Sequence, residues 1–327
     1  MTTYKNVKYK VPTLNLHSTT ESSPAEGDIW YDSGKFYFGS SSTFTGVWSS
    51  GGNLGTGASG FHGCGTQTAG LVFGGDTTMN DNNTNRTEEY NGTAWSAGGN
   101  LGTAMRQNAA AGTQTAGLSV GGYHSNYSNI TEEYDGSSWS TGGNIATARW
   151  GLGAAGTQTA GLCMGGTTGS NSNVTEEYDG SSWSSGGNLA TAVRGIGSAG
   201  TQSAGLKFGG HTDPGTTNIT EEYNGTSWSA GGNLITARQY FGGCGTQSAG
   251  LAMGKDSGDK STTEEYDGTA WRAGGSMTTG RASGAAAGTQ GAGLYAGGYA
   301  GSTSNITEEY DTGLGSYDQL FNGQGDL

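Results

Sequence analysis

The stretch TEEYDGSSW occupies residues 131–139 and recurs unchanged at residues 175–183, with a near copy, TEEYNGTAW, at residues 87–95. The tetrad TEEY occurs six times, and successive copies are separated by 44, 44, 45, 43 and 44 residues. The copies begin at Thr87, Thr131, Thr175, Thr220, Thr263 and Thr307. A sustained period of this length is typical of an array of equal structural units. The sequence therefore predicts six such units.

Two further markers repeat in phase with the tetrad. The tripeptide GTQ begins at Gly65, Gly112, Gly156, Gly200, Gly245 and Gly288. A tryptophan followed six positions later by Leu, Ile or Met occurs at Trp48, Trp95, Trp139, Trp183, Trp228 and Trp271. Three independent markers with the same period indicate that the repeat is structural, because a solvated low-complexity tract has no need of such a register.

Composition excludes several classes of protein. Of the 327 residues, 31% are hydrophobic and 66 are glycine, which is typical of short strands joined by tight turns. The formal net charge of −13 disfavours a nucleic-acid partner, because phosphate contacts need clustered Lys and Arg. Lys5, Lys8 and Lys10 are a local exception. No apolar run reaches the length of a membrane span, and the first residues lack the apolar core of a signal peptide, so we expect no membrane insertion.

The three cysteines have no metal-ligand spacing. Cys64 and Cys244 take the same place in the repeat, where the other units have Ala, and Cys163 lies in the apolar run GLCMGG. We therefore expect three buried free thiols.

Each unit reads as four short antiparallel strands. In the second unit, RQNAAAGTQTAGLSVGG supplies strand a, a turn, and strand b; NITEEY supplies strand c; and SWSTGG supplies strand d after the turn DGSS. Asp-Gly or Asn-Gly between strand-like residues is a strong hairpin signal. Four strands in about 44 residues, repeated six times, predict an all-β, six-bladed β-propeller of four-stranded antiparallel blades. Strand a, rich in Ala and Gly, suits the crowded centre, and Tyr and Trp are expected to pack between blades.

The unit resembles the kelch motif. An apolar run ending in a glycine pair is followed by Tyr, Trp, an aliphatic residue and Arg, as in GLSVGG, Tyr134, Trp139, Ile145 and Arg149. The resemblance covers residues 46 to 311 and implies a propeller. The sequence departs from the family in three places. Its Tyr-to-Trp spacing of five is slightly tight, and the first unit has Ala58-Ser59 where the others have an arginine. The fifth unit ends its strand b run in Gly254-Lys255 instead of a glycine pair.

The two ends of the repeat complement each other. The first recognisable element is a d strand, GVWSSGG, and the last is a c strand, NITEEYDTG, which no Trp follows. We therefore expect the N-terminal d strand to complete the last blade and close the ring, which leaves few sheet edges exposed. The predicted domains are an attachment arm with a short β element at 1–45, the propeller at 46–312, and a tail at 313–327.

Sequence variation concentrates on one side of the predicted disc. The loop between strands b and c and the start of strand a differ from unit to unit, and both lie on one face of an up-and-down blade. Variable side chains on a rigid scaffold are typical of a binding surface. Aromatic rings beside amide and guanidinium donors suit sugars. The candidate ligand-binding residues are Phe61, His62, Arg106, Gln107, Asn108, Arg149, Trp150, Arg194, Arg238, Gln239, Tyr240, Phe241 and Arg281.

Structural interpretations compete with these assignments. The five arginines also suit pairing with a TEEY glutamate of the adjacent blade, and loops drift wherever selection is relaxed. One Glu of each TEEY on each strand face gives a ring of carboxylates, but identical placement in every unit favours backbone or Arg pairing over a metal site. We predict no metal and no cofactor.

The N-terminal region resembles virion structural proteins of bacteriophages. The motif GDIWYD, residues 27–32, is similar to a segment common in tail fibres, where it often lies near an attachment region. The resemblance implies a virion location and an arm that binds other virion proteins. The candidate attachment residues are Tyr4, Lys5, Val7, Tyr9, Val11, Leu14 and Leu16.

These expectations combine into a non-enzymatic virion protein of the fibre or decoration type, whose variable face binds host-surface glycan or a virion protein. A homo-oligomer on the particle is compatible with these expectations. One alternative is a polysaccharide-active enzyme, sialidase-like or oxidase-like. The turn DGSSW lacks the residue that a sialidase Asp-box needs between Asp and Gly, and four scattered histidines do not form a copper site. Another alternative is a cytosolic kelch adaptor.

Overall fold

The computed structural model describes residues 46–78 and 82–312, together with three strands nearer the N-terminus. The chain divides into two units, Met1–Phe44 with Gly313–Leu327, and Thr45–Thr312. In the first unit, β1 (Asn15–His17) runs parallel to β2 (Asp28–Asp32), which pairs antiparallel with β3 (Lys35–Phe38). The last five residues of the GDIWYD motif, Asp28–Asp32, thus form a strand that pairs antiparallel with β3. Of the predicted attachment residues, Leu16 lies in β1, and the other six lie outside the described residues, as does the predicted tail.

The second unit consists of 24 strands, β4 to β27. The first of them is β4 (Val47–Ser50). Blades 1 and 2 contain β5 (His62–Thr66), β6 (Ala69–Phe73), β7 (Thr87–Tyr90), β8 (Trp95–Ala97), β9 (Ala109–Thr113), β10 (Ala116–Val120), β11 (Thr131–Tyr134) and β12 (Trp139–Thr141). Blades 3 and 4 contain β13 (Trp150–Thr157), β14 (Ala160–Thr167), β15 (Thr175–Tyr178), β16 (Trp183–Ser185), β17 (Gly197–Gly200), β18 (Gly205–Phe208), β19 (Thr220–Tyr223) and β20 (Trp228–Ala230). Blades 5 and 6 contain β21 (Gly242–Thr246), β22 (Ala249–Met253), β23 (Thr263–Tyr266), β24 (Trp271–Ala273), β25 (Ala285–Gly288), β26 (Ala292–Ala296) and β27 (Thr307–Asp311).

Six four-stranded antiparallel sheets form a closed ring, as the sequence predicted. In each blade the Ala- and Gly-rich strand a is innermost, and it contacts strand a of the next blade around the whole circle. The last of these contacts joins β25 of blade 6 to β5 of blade 1. The described residues contain no helix, and thus none long and apolar enough to cross a membrane.

The ring is closed by β4, which is the outermost strand of blade 6. It pairs antiparallel with β27, so that Trp48 lies opposite Tyr310 with 5.0 Å between the ring centroids. The indole Nε1 of Trp48 donates to the Gly275 carbonyl at 2.9 Å and to Thr263 Oγ1 at 3.1 Å, both in blade 5. The predicted clasp between the first and last strands is therefore confirmed.

Close packing between blades explains the GL dipeptide of strand b. The leucine of each blade is almost completely buried and points at the glycine of the next blade. A Cβ added to Gly161 would lie 2.8 Å from Leu118 Cδ2, closer than real Cβ contacts allow. The same approach recurs at all six interfaces at 2.6 to 2.8 Å. Glycine is thus required there because the neighbouring blade occupies the space of a side chain.

The TEEY tyrosines join neighbouring blades through hydrogen bonds. Tyr178 donates to Glu133 Oε1 of the preceding blade at 2.5 Å, and its oxygen accepts from the Gly143 amide at 3.2 Å. Burial and the Glu133 contact raise the pKa of Tyr178 to about 12, so the phenol remains a donor at neutral pH. All six interfaces carry this bond; the other pairs are Tyr90–Glu309, Tyr134–Glu89, Tyr223–Glu177, Tyr266–Glu222 and Tyr310–Glu265.

The repeated Trp, Thr and Gln residues join the same interfaces. The Nε1 of Trp139 donates to Thr87 Oγ1 of the preceding blade at 2.9 Å, and each of the six repeat tryptophans has an equivalent bond. Gln158 of GTQ donates to the carbonyls of Gly117 and Tyr134, and this contact also recurs six times. The repeat is therefore invariant because it fastens each blade to its neighbour.

Candidate functional site

A closed ring of backbone hydrogen bonds surrounds the propeller axis on the variable face. One residue from each blade donates its amide to the carbonyl of the residue in the preceding blade, at distances of 2.6 to 2.9 Å. We call these six residues the axial ring: Gly60, Gln107, Gly151, Gly195, Tyr240 and Ser283. Their amides and carbonyls are satisfied by each other, which fixes the start of every strand a relative to its neighbours.

All six residues of the axial ring have left-handed backbone conformations, with φ between 50° and 64°. Three of them are glycines, for which this conformation carries no steric cost. Gln107, Tyr240 and Ser283 are not, so the ring holds them in a conformation that costs about 1–2 kcal/mol per residue.

We predict opposite effects for two substitutions in the axial ring. Ser283→Gly relieves the left-handed strain and should raise the free energy of unfolding by roughly 0.5–1 kcal/mol. Gly151→Ala should lower it by about 1–2 kcal/mol. A Cβ at Gly151 would meet nothing closer than 3.4 Å, so its effect reports backbone conformation alone. Urea unfolding checks both values, and equal signs for the two variants would contradict the assigned conformations.

The axis beneath the ring is nearly filled. Two cavities of about 10 and 30 Å³ lie there, lined by small residues and by the larger side chains of Leu152, Ile196 and Phe241, and they hold one or two waters at most. His62 lines both cavities, its Nδ1 has no hydrogen-bond partner among the described residues, and burial lowers its pKa to about 4. Neither of these two cavities admits a ligand larger than water.

Above the ring lies an open depression of about 310 Å³, which we call the axial depression. This size is at the low end of the range for small-molecule sites. Its lining comes from blades 1, 2, 3, 5 and 6 and consists of Ser59, Gly60, Asp76, Arg106, Gln107, Trp150, Tyr240 and Ser283.

Two aromatic rings form one wall of the axial depression. Trp150 and Tyr240 lie nearly parallel, with an interplanar angle of 11° and 6.4 Å between centroids. Tyr123 contacts Trp150 edge-on at 6.4 Å. A Cβ on Gly195 would lie 2.9 Å from the Tyr240 ring, so the missing side chain in blade 4 leaves the place that Tyr240 occupies.

Arg106 lines the axial depression from blade 2 and contacts Asp76, Asn83 and Tyr123. Its Nη1 lies 3.2 Å from Asp76 Oδ2 and 3.5 Å from Asn83 Oδ1, and its guanidinium carbon lies 4.9 Å from the centroid of the Tyr123 ring. The Arg106 side chain keeps 25% of its surface exposed, whereas Asp76 keeps 4%. The pair brings one positive and one negative charge to the depression, which therefore carries no net charge.

The structure brings four of the predicted ligand-binding residues together, namely Arg106, Gln107, Trp150 and Tyr240. Two more, Arg194 and Gln239, are half-buried and bonded to Asn171 and Asp256. His62 lies beneath the axial ring. The remaining six are buried in the interior, where a ligand on the surface does not reach them: Phe61, Asn108, Arg149, Arg238, Phe241 and Arg281.

The five repeat arginines fall into two structural classes. Counted back from GTQ, Arg149, Arg238 and Arg281 stand seven residues before the tripeptide, and Arg106 and Arg194 stand six before it. The first class is fully buried and paired with the first glutamate of TEEY; Arg149 Nη2 lies 2.7 Å from Glu176 Oε1. This pairing is within one blade, which corrects the expectation that it would join adjacent blades.

Five of the first TEEY glutamates have a cation partner, and the sixth does not. Arg86 pairs with Glu88, and Lys207 lies 3.5 Å from Glu221. Glu132 of blade 2 accepts hydrogen bonds only from the Gly102 and Thr103 amides, and no cation lies within ion-pair distance of it among the described residues. The reason is visible in the sequence, since Met105 takes the place of the buried arginine.

Glu132 should make stability depend on pH. Burial raises the pKa of Glu132 above the ordinary value of a glutamate, so the bound proton stabilises the folded state at low pH and this contribution is lost as pH rises through the raised pKa. Glu132→Gln removes the titration. Its free energy of unfolding, relative to the unmodified protein, should therefore increase between pH 4 and pH 7. Packing differences are independent of pH and cancel in this comparison, so a flat difference would contradict the prediction.

Sequence reasoning missed Ser59, Asp76 and Ser283 as lining residues. All three stand in the variable stretches, and Ser283 is in phase with Gly151 when the units are aligned on GTQ. The alignment of the units on GTQ could therefore have indicated both serines as lining residues. Asp76 begins the loop after strand b of blade 1, and nothing in the sequence places it beside Arg106 of blade 2.

The described residues contain no group of three His, Cys, Asp or Glu side chains arranged to hold a metal ion. Cys64, Cys163 and Cys244 are buried free thiols, as predicted, and burial raises the pKa of each to about 12. The fold is consistent with the kelch-like propeller that the repeat resembles. No protein-family model matches the chain, and no curated protein matches it.

Proposed function

We propose that the protein is a non-enzymatic structural component of a virion that presents the variable face of its propeller for binding. The observation that carries this proposal is the division of labour between repeated and unique residues. TEEY, GTQ and the repeat tryptophans are used in contacts between blades. The unique side chains of Gln107, Trp150, Tyr240 and Ser283 stand on that framework, are half-buried, and line the open axial depression.

Binding without catalysis is supported by the chemistry of the depression. Hydrolysis of a glycosidic bond by the common mechanisms needs two carboxyl groups on opposite sides of the bond. Asp76 is the one carboxylate among the lining residues, and it is buried and paired with Arg106. A redox or nucleophilic mechanism would commonly use a histidine or a cysteine, and neither residue type is among those that line the depression.

The virion location is supported by the resemblance of GDIWYD to tail-fibre segments. The described strands β2 and β3 form a hairpin at this motif, and an arm of this kind is suited to attachment to other virion proteins. The propeller would then be the displayed part, with host-surface glycan or a neighbouring virion protein as its ligand.

The experiment is mass spectrometry of purified virus particles whose genome encodes this chain, followed by a low-resolution map of the particle. The proposal predicts that the chain is present in fixed stoichiometry and that the face with the axial depression points away from the attachment point. Absence of the chain from intact particles would contradict it.

A further inference from the structure

The two aromatic residues of the axial depression lack the hydrogen bonds that the repeated tryptophans and tyrosines make. All six repeat tryptophans donate their indole N–H to a threonine, and all six repeat tyrosines donate their hydroxyl to a glutamate. Within the described part of the chain, the indole N–H of Trp150 and the hydroxyl of Tyr240 have no hydrogen-bond partner. Trp150 and Tyr240 are the two aromatic residues among those that line the axial depression, and their polar edges are free for a ligand.

Two other lining side chains share this property. The side-chain amide of Gln107 and the side-chain hydroxyl of Ser283 make no hydrogen bond with the described residues. Together the four side chains offer an indole donor, two hydroxyls, and an amide that donates and accepts. They converge on one depression from blades 2, 3, 5 and 6.

The charge of the depression selects against ions. Arg106 is its one cation, and Asp76 neutralises it at 3.2 Å. A carboxylate or sulfate ligand would have to compete with Asp76 for the same guanidinium, whereas a neutral ligand leaves the pair intact. Recognition by neutral hydroxyl and amide groups is therefore favoured.

The floor of the depression is rigid and closed. The axial ring fixes the backbone of Gln107, Tyr240 and Ser283 through its six hydrogen bonds, and the cavities beneath it admit only water. Preorganised side chains lose little conformational freedom on binding. A ligand with one flat apolar face and a rim of hydroxyls matches parallel aromatic rings bordered by unsatisfied donors and acceptors.

We propose that the axial depression is a binding site for a neutral saccharide unit, whose apolar face stacks on Trp150 and Tyr240 and whose hydroxyls bond to Gln107, Ser283 and the free edges of both rings. This inference deepens the proposed function and rests on it for its biological setting. The predicted ligand is an uncharged sugar ring.

The test uses the full chain and a glycan microarray of neutral oligosaccharides of glucose, galactose, mannose and N-acetylglucosamine, beside sialylated and uronic-acid oligosaccharides. Titration calorimetry with the strongest neutral binder then compares variants. Trp150→Ala and Tyr240→Ala should each weaken binding at least about tenfold, equivalent to about 1.4 kcal/mol. Tyr240→Phe, which keeps the ring, should weaken it less.

Tyr299→Ala is the matched control, because Tyr299 is a half-buried aromatic residue beside Ala282 on the same face but does not line the depression. It should bind as the unmodified protein does. Melting temperatures of all variants establish that they fold, and Tyr240→Phe preserves the packing if an alanine variant does not fold.

Three results would overturn the inference: preference for the anionic sugars, neutral binding that Trp150→Ala and Tyr240→Phe leave unchanged, or no binding to any saccharide. Each of them leaves the proposed function standing if particles contain the chain and it binds host cells or another virion protein. If the chain is absent from particles but binds a neutral saccharide at Trp150, the saccharide site stands and the proposed virion function is contradicted.

Discussion

Deletion of residues 1–50 is expected to lower the melting temperature of the propeller by roughly 10 °C or more, whereas deletion of residues 1–44 should leave it nearly unchanged. The longer deletion removes β4, the outer strand of blade 6, and with it the packing of Trp48 on Tyr310 and the indole bonds to blade 5. Loss of a packed tryptophan alone costs about 3 kcal/mol. Calorimetry of the two truncations measures the effect.

The shorter deletion is the matched control because it retains all of Val47–Ser50. The longer one also exposes the edge of β27, so it should associate in a concentration-dependent way, visible by light scattering. Equal melting temperatures for the two truncations would show that β4 does not close the ring.

Replacement of Arg149 by methionine is expected to cost about 3–5 kcal/mol of unfolding free energy. Arg149 is fully buried and its Nη2 lies 2.7 Å from Glu176 Oε1, while its Nη1 donates to the carbonyls of Gly165 and Val174. The variant leaves Glu176 buried without a cation.

Arg194→Met serves as the control for this variant. Arg194 bonds to the neutral Asn171 at 2.7 Å and is half-buried, so its removal strands no buried charge and should cost about 1 kcal/mol or less. Guanidinium unfolding at pH 7 compares the two variants. A similar loss of unfolding free energy for both variants would contradict the division of the arginines into two classes.

The architecture was predictable because the period of the sequence and the period of the fold are the same. Markers such as Trp139 and Tyr178 recur at the same place in each unit, and a residue that is required six times must meet the same neighbours six times. The complementary ends around Trp48 and Tyr310 even specify how the ring closes.

The candidate site was predictable only in part, because it consists of residues that differ from one repeat unit to the next. Arg149 and Arg194 differ by one position relative to GTQ, and that shift moves the side chain from the interior to a half-buried place beside Asn171. The axial ring is made by backbone atoms of residues as different as Gly60 and Tyr240, so no side-chain pattern indicates it. The pairing of Asp76 with Arg106 joins two blades through a variable loop.

The central claim is that six blades form a ring closed by β4 against β27, and a pair of introduced cysteines tests it most directly. Val47 and Asp311 lie opposite each other in this pairing, and Val47 is 64% exposed. Residues opposite each other in antiparallel strands have Cβ atoms about 4.5–5.5 Å apart, within reach of a disulfide after small adjustments. The native thiols are buried and, with pKa values of about 12, do not compete.

Oxidation of the folded Val47→Cys, Asp311→Cys variant should give a monomer with an intramolecular disulfide, seen as a faster band on a non-reducing gel. Val47→Cys with Asp179→Cys, which places the second thiol in the blade 3 turn, should give none. Failure of the first pair to cross-link, or equal cross-linking of both pairs, would contradict the closed ring.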